Sequence, residues 1–260
     1  NTKEAAKLSK GAGVSLRNPL VIINGSYNDV RMGAEISSYL KGYNDPRIAS
    51  YFVKAKNNGI EGYYAVRTNI PTTDDYLDKA KSSSLNVQDG TPIYIMKASE
   101  VYFLRAEGAL RGWNMGGGTA QSYYEKGIAT SFEENDLSAS QAAAYAANST
   151  ATPANFVDAL HSEYDTPATS TITIKWETGA TNFERNLERI ITQKYLAIYP
   201  DGQEAWSEYR RTGYPRISPA VLTATDCDVD GDLRPTRIPY SNDEYIKNLV
   251  NVKKAVQLLH

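Results

Sequence analysis

Apolar positions recur at helical spacing on both sides of a glycine run in residues 97–132, KASEVYFLRAEGALRGWNMGGGTAQSYYEKGIATSF. Tyr102, Ala106, Ala109 and Trp113 follow i, i+4, i+7, i+11, and Phe103 and Leu110 widen the stripe, which predicts an amphipathic helix over 98–113. Glu107 and Arg111 stand four apart on its polar side in the favourable acid-before-base order. Gly116, Gly117 and Gly118 break the pattern, and Thr119 is placed to cap a second helix. Ala120, Tyr123, Tyr124, Gly127, Ile128 and Ser131 share one face of it. Gly108 and Gly127 lie inside the two helices, where each costs about 1 kcal/mol relative to alanine. Close approach of two helix backbones is the expected reason. The spacing of Leu104 and Gly108, then Ala120, Tyr124 and Gly127, partly matches a tetratricopeptide hairpin, although no proline follows the second helix.

The same periodicity predicts a helix at 32–40 and a long one at 182–199, with Leu187, Ile190, Ile191, Tyr195 and Ile198 on its apolar face. Pro200, Asp201 and Gly202 break the long helix, and another over 204–211 is closed by Gly213 and Pro215. Asp243 is expected to cap a final helix running to 259. Elsewhere the signals are shorter. Residues 1–18 read as a short helix and a connector, 19–25 (PLVIING) as a buried strand or helix end, and Asn44, Asp45 and Pro46 as a turn. Residues 70–92 read as loop, 137–159 as short alanine-rich helices broken at Pro153, and 165–176 as a turn-rich segment ending in β-like alternation. The fold class is therefore mainly α: tetratricopeptide-like helical hairpins with long irregular loops and few short strands.

Composition narrows the function more by exclusion than by assertion. Lys and Arg total 28 against 30 Asp and Glu, a net charge of -2, which argues against a nucleic-acid partner. Cys227 is the only cysteine, so there is no internal disulfide framework or multi-cysteine metal site. Tyrosine is the skewed residue, 19 against 5 Phe and 3 Trp, and it joins a flat apolar face to a hydroxyl. Such rings serve either to pack half-exposed helix surfaces or to contact partly polar ligands. The chain opens on Asn1 without a signal-peptide pattern, so a processed chain or a fragment is expected.

Candidate chemistry is sparse. Asp226, Asp228, Asp230, Gly231 and Asp232 resemble the start of an EF-hand loop, but its closing acid falls on Arg237 and Arg234 adds a second positive charge. That leaves a solvated acidic turn or a looser calcium site. Gly116–Gly118 lacks the preceding strand and following Lys-Ser/Thr of a phosphate loop. His161 and His260 are nearly a hundred positions apart and without cysteine partners, against a zinc site or a histidine triad. Asp74 with Asp75 and Glu133 with Glu134 are neighbours in sequence only, and nothing favours the facing carboxylates of a glycosidase. Trp113 and Trp206 are expected in the core. Tyr63 and Tyr64 differ: adjacent rings after Gly59 and Gly62 have no helical core to fill, which suits ligand stacking.

Four stretches together resemble the SusD/RagB family of outer-membrane nutrient-binding lipoproteins. They are YNDPRIASYF (43–52), the AEGALRGWN core of the hairpin, IITQKYLAIYPDGQEAWSEYRRTGY (190–214) and RIPYSNDEYIKNLVN (237–251). The resemblance implies an almost all-helical scaffold under ligand-binding loops, displayed on the outer face of the Bacteroidetes outer membrane through a lipidated N-terminal cysteine. It implies a non-catalytic protein that captures an oligosaccharide or other nutrient oligomer; no cofactor is expected, and no metal-ligand residue is assigned. The partner implied is a SusC-like TonB-dependent transporter. Family members are commonly much longer, and the lipid-bearing cysteine and N-terminal helices are missing here. Residues 1–260 are thus expected to be the C-terminal portion of one SusD-like domain. Loop aromatics ahead of the helical hairpin are the family's usual ligand contacts, which supports Tyr63 and Tyr64, with Arg67 donating to sugar hydroxyls. In the RRTGYPRI words Arg210 and Arg211 are expected to pair with acids or cap helices, and Tyr214 to pack beside Pro215. The alternative is a tetratricopeptide-like interaction scaffold with no small ligand of its own.

Overall fold

A computed structural model of the protein describes residues 5–11, 13, 17–71, 73–221 and 240–258. In chain order these form β1 (Ala6–Leu8), α1 (Pro19–Ile22), α2 (Ala34–Gly42), α3 (Ile48–Tyr51), β2 (Ala55–Asn57), β3 (Ile60–Gly62), α4 (Asp74–Leu77), β4 (Ile93–Met96), α5 (Ala98–Leu110), α6 (Ala120–Glu133), α7 (Ala139–Ala146), α8 (Phe183–Ile198), α9 (Gly202–Thr212), α10 (Asn242–Lys247) and α11 (Leu249–Gln257). A single π turn, Ile23–Tyr27, continues α1. The mainly helical fold class holds.

The predicted hairpin is α5 and α6, and α8 packs against both. Thr119 caps α6 by accepting from the Ser122 amide at 3.1 Å. The interior glycines act differently from expectation. A Cβ on Gly127 would stand 2.8 Å from the Phe103 ring, and one on Gly108 would stand 2.6 Å from Met115 Sδ. Each glycine therefore hollows its helix for a side chain, not for a second backbone. The Phe103 ring, with no exposed surface, meets Tyr124 edge-on at 6.3 Å in the middle of the core. The glycine run after Trp113 is tied internally. Tyr123 Oη accepts from the Gly118 amide (2.9 Å) and donates to Met115 O (2.8 Å), while Asn114 Oδ1 accepts from the Gly116 amide (3.2 Å). These amides are therefore spent within the loop, which is a connector.

Several buried charges form ion pairs, within a turn or between elements. Arg47 and Asp45 form a fully buried ion pair at 2.6 Å. Lys194 of α8 donates to Glu208 of α9 at 2.9 Å and lies 3.5 Å from Glu100 of α5. Arg211 pairs with Glu107 and Glu208, as its expected role requires, and Arg210 stacks on Trp206 at 4.5 Å. Tyr214 is buried and donates to Glu184 at 2.9 Å.

Several expectations are corrected. Residues 6–8 form no helix: they pair antiparallel with β4, Lys7 opposite Tyr94 and Leu8 opposite Ile93. Residues 55–62 form a hairpin around Asn58 and Gly59, both at positive φ (48° and 82°), the two-residue turn that Asn-Gly favours. Of the two readings of segment 19–25 the helical one holds and the strand does not, because Pro19 starts α1 behind the Asn18 cap. The last helix begins after Ser241, not Asp243, and breaks at Asn248 into α10 and α11. Trp113 is 64% exposed, because it falls beyond the last turn of α5 where the chain has left the core face, and Trp206 is half-buried. Segment 165–176 buries Ile172 and Ile174 in alternation, but it forms only an isolated antiparallel bridge, Thr166 with Phe156, and no strand among the described residues. Tyr43 Oη and Tyr124 Oη donate to its carbonyls at Ile172 (3.0 Å) and Ile174 (2.6 Å), doing the work of a missing ladder.

Candidate functional site

The β2–β3 hairpin delivers Tyr63, Tyr64 and Arg67 to a meeting point of loops. The backbone there is fixed from below: Ser83 Oγ accepts from the Tyr64 amide (3.0 Å), Tyr64 O accepts from the Ser83 amide (2.8 Å), and Met32 O accepts from the Val66 amide (2.8 Å). The two rings serve differently. Tyr63 is half-buried against the main core, while Tyr64 folds over Gly62 and donates to Ile60 O at 2.9 Å. Arg67 reaches across to two other loops, donating to Pro219 O (2.6 Å) and Tyr164 O (3.4 Å). Its Nε is buried and has no hydrogen-bond partner among the described residues. Asn69 Nδ2 adds a bond to Val221 O at 2.6 Å.

Around this arginine the loops carry aromatic rings. The His161 ring lies between those of Tyr76 and Tyr164, tilted to both, with centroids at 5.3 and 6.1 Å. Asp158 accepts from Tyr76 Oη (3.1 Å) and from the Leu160 and His161 amides (2.9 and 3.0 Å), which sets the loop. Burial, then the Asp158 carboxylate, raises the pKa of the Tyr76 hydroxyl, so it stays a donor. The structure thus joins Arg67 to Tyr164 and Pro219 and leaves Tyr63 and Tyr64 on separate supports. Asn69 and Tyr164 were missed by the sequence reading, and His161 was weighed only as a metal ligand or triad member. Asn69 lies far along the chain from His161 and Tyr164, so no local spacing marks the three together.

Elsewhere a cleft of about 510 Å³ opens between β4, α1 and the turn after α8, with Tyr94, Pro92, Tyr199, Glu134 and Lys97 on its walls. Lys97, only 6% exposed, closes the C-terminus of α8 by donating to Ala197 O (2.9 Å) and Tyr199 O (2.8 Å). Its ammonium also lies 5.1 Å from the Tyr94 ring. Burial pushes the Lys97 amine down to about 8, against the attraction of Glu134. Nitrogen-detected NMR should therefore show Lys97 titrating near pH 8, and a midpoint near 10.5 would refute the desolvation argument. Below pH 8 the folded state holds a costly charge, and between pH 8 and 10.5 it releases a proton that the unfolded chain keeps. Wild type should thus gain about 3 kcal/mol on Lys97→Met across that window, the free-energy equivalent of the shift.

Among the described residues no group of three His, Cys, Asp or Glu side chains could hold a metal ion, and no helix is long and apolar enough to cross a membrane. Asp226, Asp228, Asp230 and Asp232 lie outside the described residues.

Paired helices carrying long, internally braced loops define a helical scaffold protein that presents its surface through loops. The chain belongs to the SusD-like family, described as Susd and RagB outer membrane lipoprotein, which it matches over residues 1–260. A susD homolog from Bacteroides thetaiotaomicron is 42% identical, with a TM-score of 0.85 over 98% of this chain and 52% of its own. A chitin-binding SusD homolog from Flavobacterium johnsoniae is 40% identical, with a TM-score of 0.82 over 97% of this chain and 51% of its own. A homolog from Bacteroides ovatus is 36% identical, with a TM-score of 0.84 over 97% of this chain and 52% of its own. The chain spans about half the length of these structures. No curated protein shows significant similarity to it.

Proposed function

We propose that this chain is part of a single SusD-like domain in a non-catalytic protein. It captures a glycan or related nutrient oligomer at the cell surface and delivers it to a SusC-like TonB-dependent transporter. The observation that carries this reading is the 40% identity, over 97% of the chain, to a chitin-binding SusD homolog. The loop cluster is the proposed contact: Tyr64 and Tyr63 supply ring faces, and Arg67 supplies donors to hydroxyls. Half-buried rings on braced loops lose little freedom on binding, which favours modest affinity without rearrangement.

The test is calorimetric titration of the protein with N-acetylglucosamine oligomers and a panel of other soluble glycans. Tyr64→Ala and Arg67→Ala should each weaken binding of the recognised glycan by about tenfold or more, or about 1.4 kcal/mol. Unchanged affinity in both variants, with binding intact in the parent, would refute the site assignment. Turnover of any glycan in the panel would refute the non-catalytic reading.

A further inference from the structure

We propose a second carbohydrate subsite, built on Trp176, that shares no residue with the Tyr63–Arg67 cluster and takes one pyranose ring. It rests on the reading that the protein binds glycans, but not on where the first site lies. A pocket of about 350 Å³ is lined by Trp176, Ser149, Lys175, Glu177, Thr178 and Asn182. Sugar rings present an apolar C–H face and a periphery of hydroxyls, so the matching surface is a fixed aromatic ring with a mixed donor and acceptor rim.

Trp176 supplies such a ring. It is half-buried, and its pose is set from behind by Tyr124, centroid to centroid 5.4 Å. Tyr124 is itself fully buried and bonded to Ile174 O at 2.6 Å. The strand-like segment on either side is held at three more points. Arg189 donates to Thr173 O and Thr173 Oγ1 (both 3.0 Å), Asn148 O accepts from the Lys175 amide (2.9 Å), and Asn186 Nδ2 donates to Glu177 O (2.7 Å). Such a surface needs no ordering when ligand arrives.

The rim has both polarities to offer. Arg185 donates twice to Glu177, at 2.8 Å each, and Arg189 pairs with the same carboxylate. The Arg185 and Arg189 guanidiniums hold its pKa down to about 2, against burial. These three bonds leave about one of the carboxylate's four lone-pair sites open to a hydroxyl. The Lys175 ammonium and the Ser149 and Thr178 hydroxyls make no hydrogen bond among the described residues, while Asn182 spends only its amide nitrogen, on Thr178 O (2.8 Å). One ammonium, two hydroxyls, an amide oxygen and an open carboxylate lone pair around a ring face let the rim both donate to and accept from the hydroxyls of a sugar.

Fluorine NMR of the whole chain labelled with fluorotryptophan tests this, since its three tryptophans give three signals and Trp176→Phe assigns one. Titration with glucose, N-acetylglucosamine and galactose should shift the Trp176 signal saturably with a Kd of about millimolar. The Trp113 and Trp206 signals should stay in place. Lys175→Ala and Thr178→Ala alter exposed rim groups without touching the Tyr124 contact, so the fold survives, and each should weaken the titration about threefold or more. An unmoved Trp176 signal while calorimetry registers glycan binding overturns the subsite and leaves the proposed function standing. Absence of binding to any glycan by either method overturns both. A Trp176 shift unaffected by either rim variant overturns the assignment of the rim.

Discussion

Replacing Arg47 by methionine should destabilise the protein by about 3–5 kcal/mol, the loss expected when one partner of a buried ion pair is removed. Neither side chain of the Arg47 and Asp45 pair has any exposed surface. Asp45 accepts from the Arg47 backbone amide (3.0 Å) and from its guanidinium, which also donates to Ser131 of α6 (2.8 Å) and Gln193 of α8 (3.0 Å). The guanidinium lies 5.1 Å from the Phe132 ring and 5.5 Å from Tyr145, so α3, α6, α7 and α8 meet on one cation. Methionine restores the volume but leaves the Asp45 carboxylate in a dry interior with no counter-charge. Urea or thermal unfolding reads the loss, with a midpoint lowered by roughly 10 °C for a chain of this size.

The double variant separates the charge from the packing. Asp45→Asn in the Arg47→Met background removes the stranded carboxylate, so the double variant should be more stable than Arg47→Met alone by about 1–3 kcal/mol, a positive coupling of neighbours. A single variant within about 1 kcal/mol of wild type would show that the pair is dispensable, as hydrophobic replacements of buried pairs sometimes are. The same network explains why YNDPRIASYF is a sequence word. Asp45 and Arg47 are spaced so that the turn before α3 supplies both members of the pair, and Tyr51 reaches α8 to donate to Leu196 O at 2.9 Å.

The long helices were legible because their information is local. The stripes of α5, α6 and α8 and the breakers around α9 each predict an element within a few residues of the observed one, and Thr119 marks its own cap. The pairing of β1 with β4 was not legible, since it joins residue 7 to residue 94 and both strands are too short to carry a pattern. The β2–β3 hairpin could have been read from Asn58 and Gly59, but glycine-bounded tyrosines drew the segment toward loop. Tyrosine content was informative for a reason its count does not reveal. Tyr39, Tyr43, Tyr51, Tyr64, Tyr123 and Tyr124 each donate a hydroxyl to a backbone carbonyl, so long loops are held by side chains where a sheet would use its own backbone. At the candidate site the sequence picked out Arg67 but not its partners, which stand 97 and 152 positions away. Trp176 was passed over as the end of an alternation, because its backing ring, Tyr124, comes from a different helix.

Gly42→Ala should cost about 3 kcal/mol or more, the upper range for overpacking, because the obstacle is backbone. In an exposed helix this change would be favourable by about 1 kcal/mol, since alanine is the better helix former. Gly42 is the last residue of α2, and the chain at Thr152, Pro153 and Ala154 passes directly over it. A Cβ there would collide with Thr152 O and Ala154 N and come within 2.6 Å of Pro153 C. The crossing segment cannot slide away cheaply. Ser38 O accepts from the Ala154 amide at 2.9 Å, the Ser38 hydroxyl donates back to Ala154 O, and Pro153 is buried. Relieving the overlap therefore breaks the bonds that dock 152–154 on α2. Gly25→Ala is the control: a Cβ there meets nothing within 4 Å, so its unfolding midpoint should stay within about 1 kcal/mol of wild type, as uncrowded surface positions do. Equal midpoints for the two variants would mean that the 152–154 crossing is not what made glycine necessary at position 42. A loss confined to Gly42→Ala ties the docking of this loop to one missing methyl group.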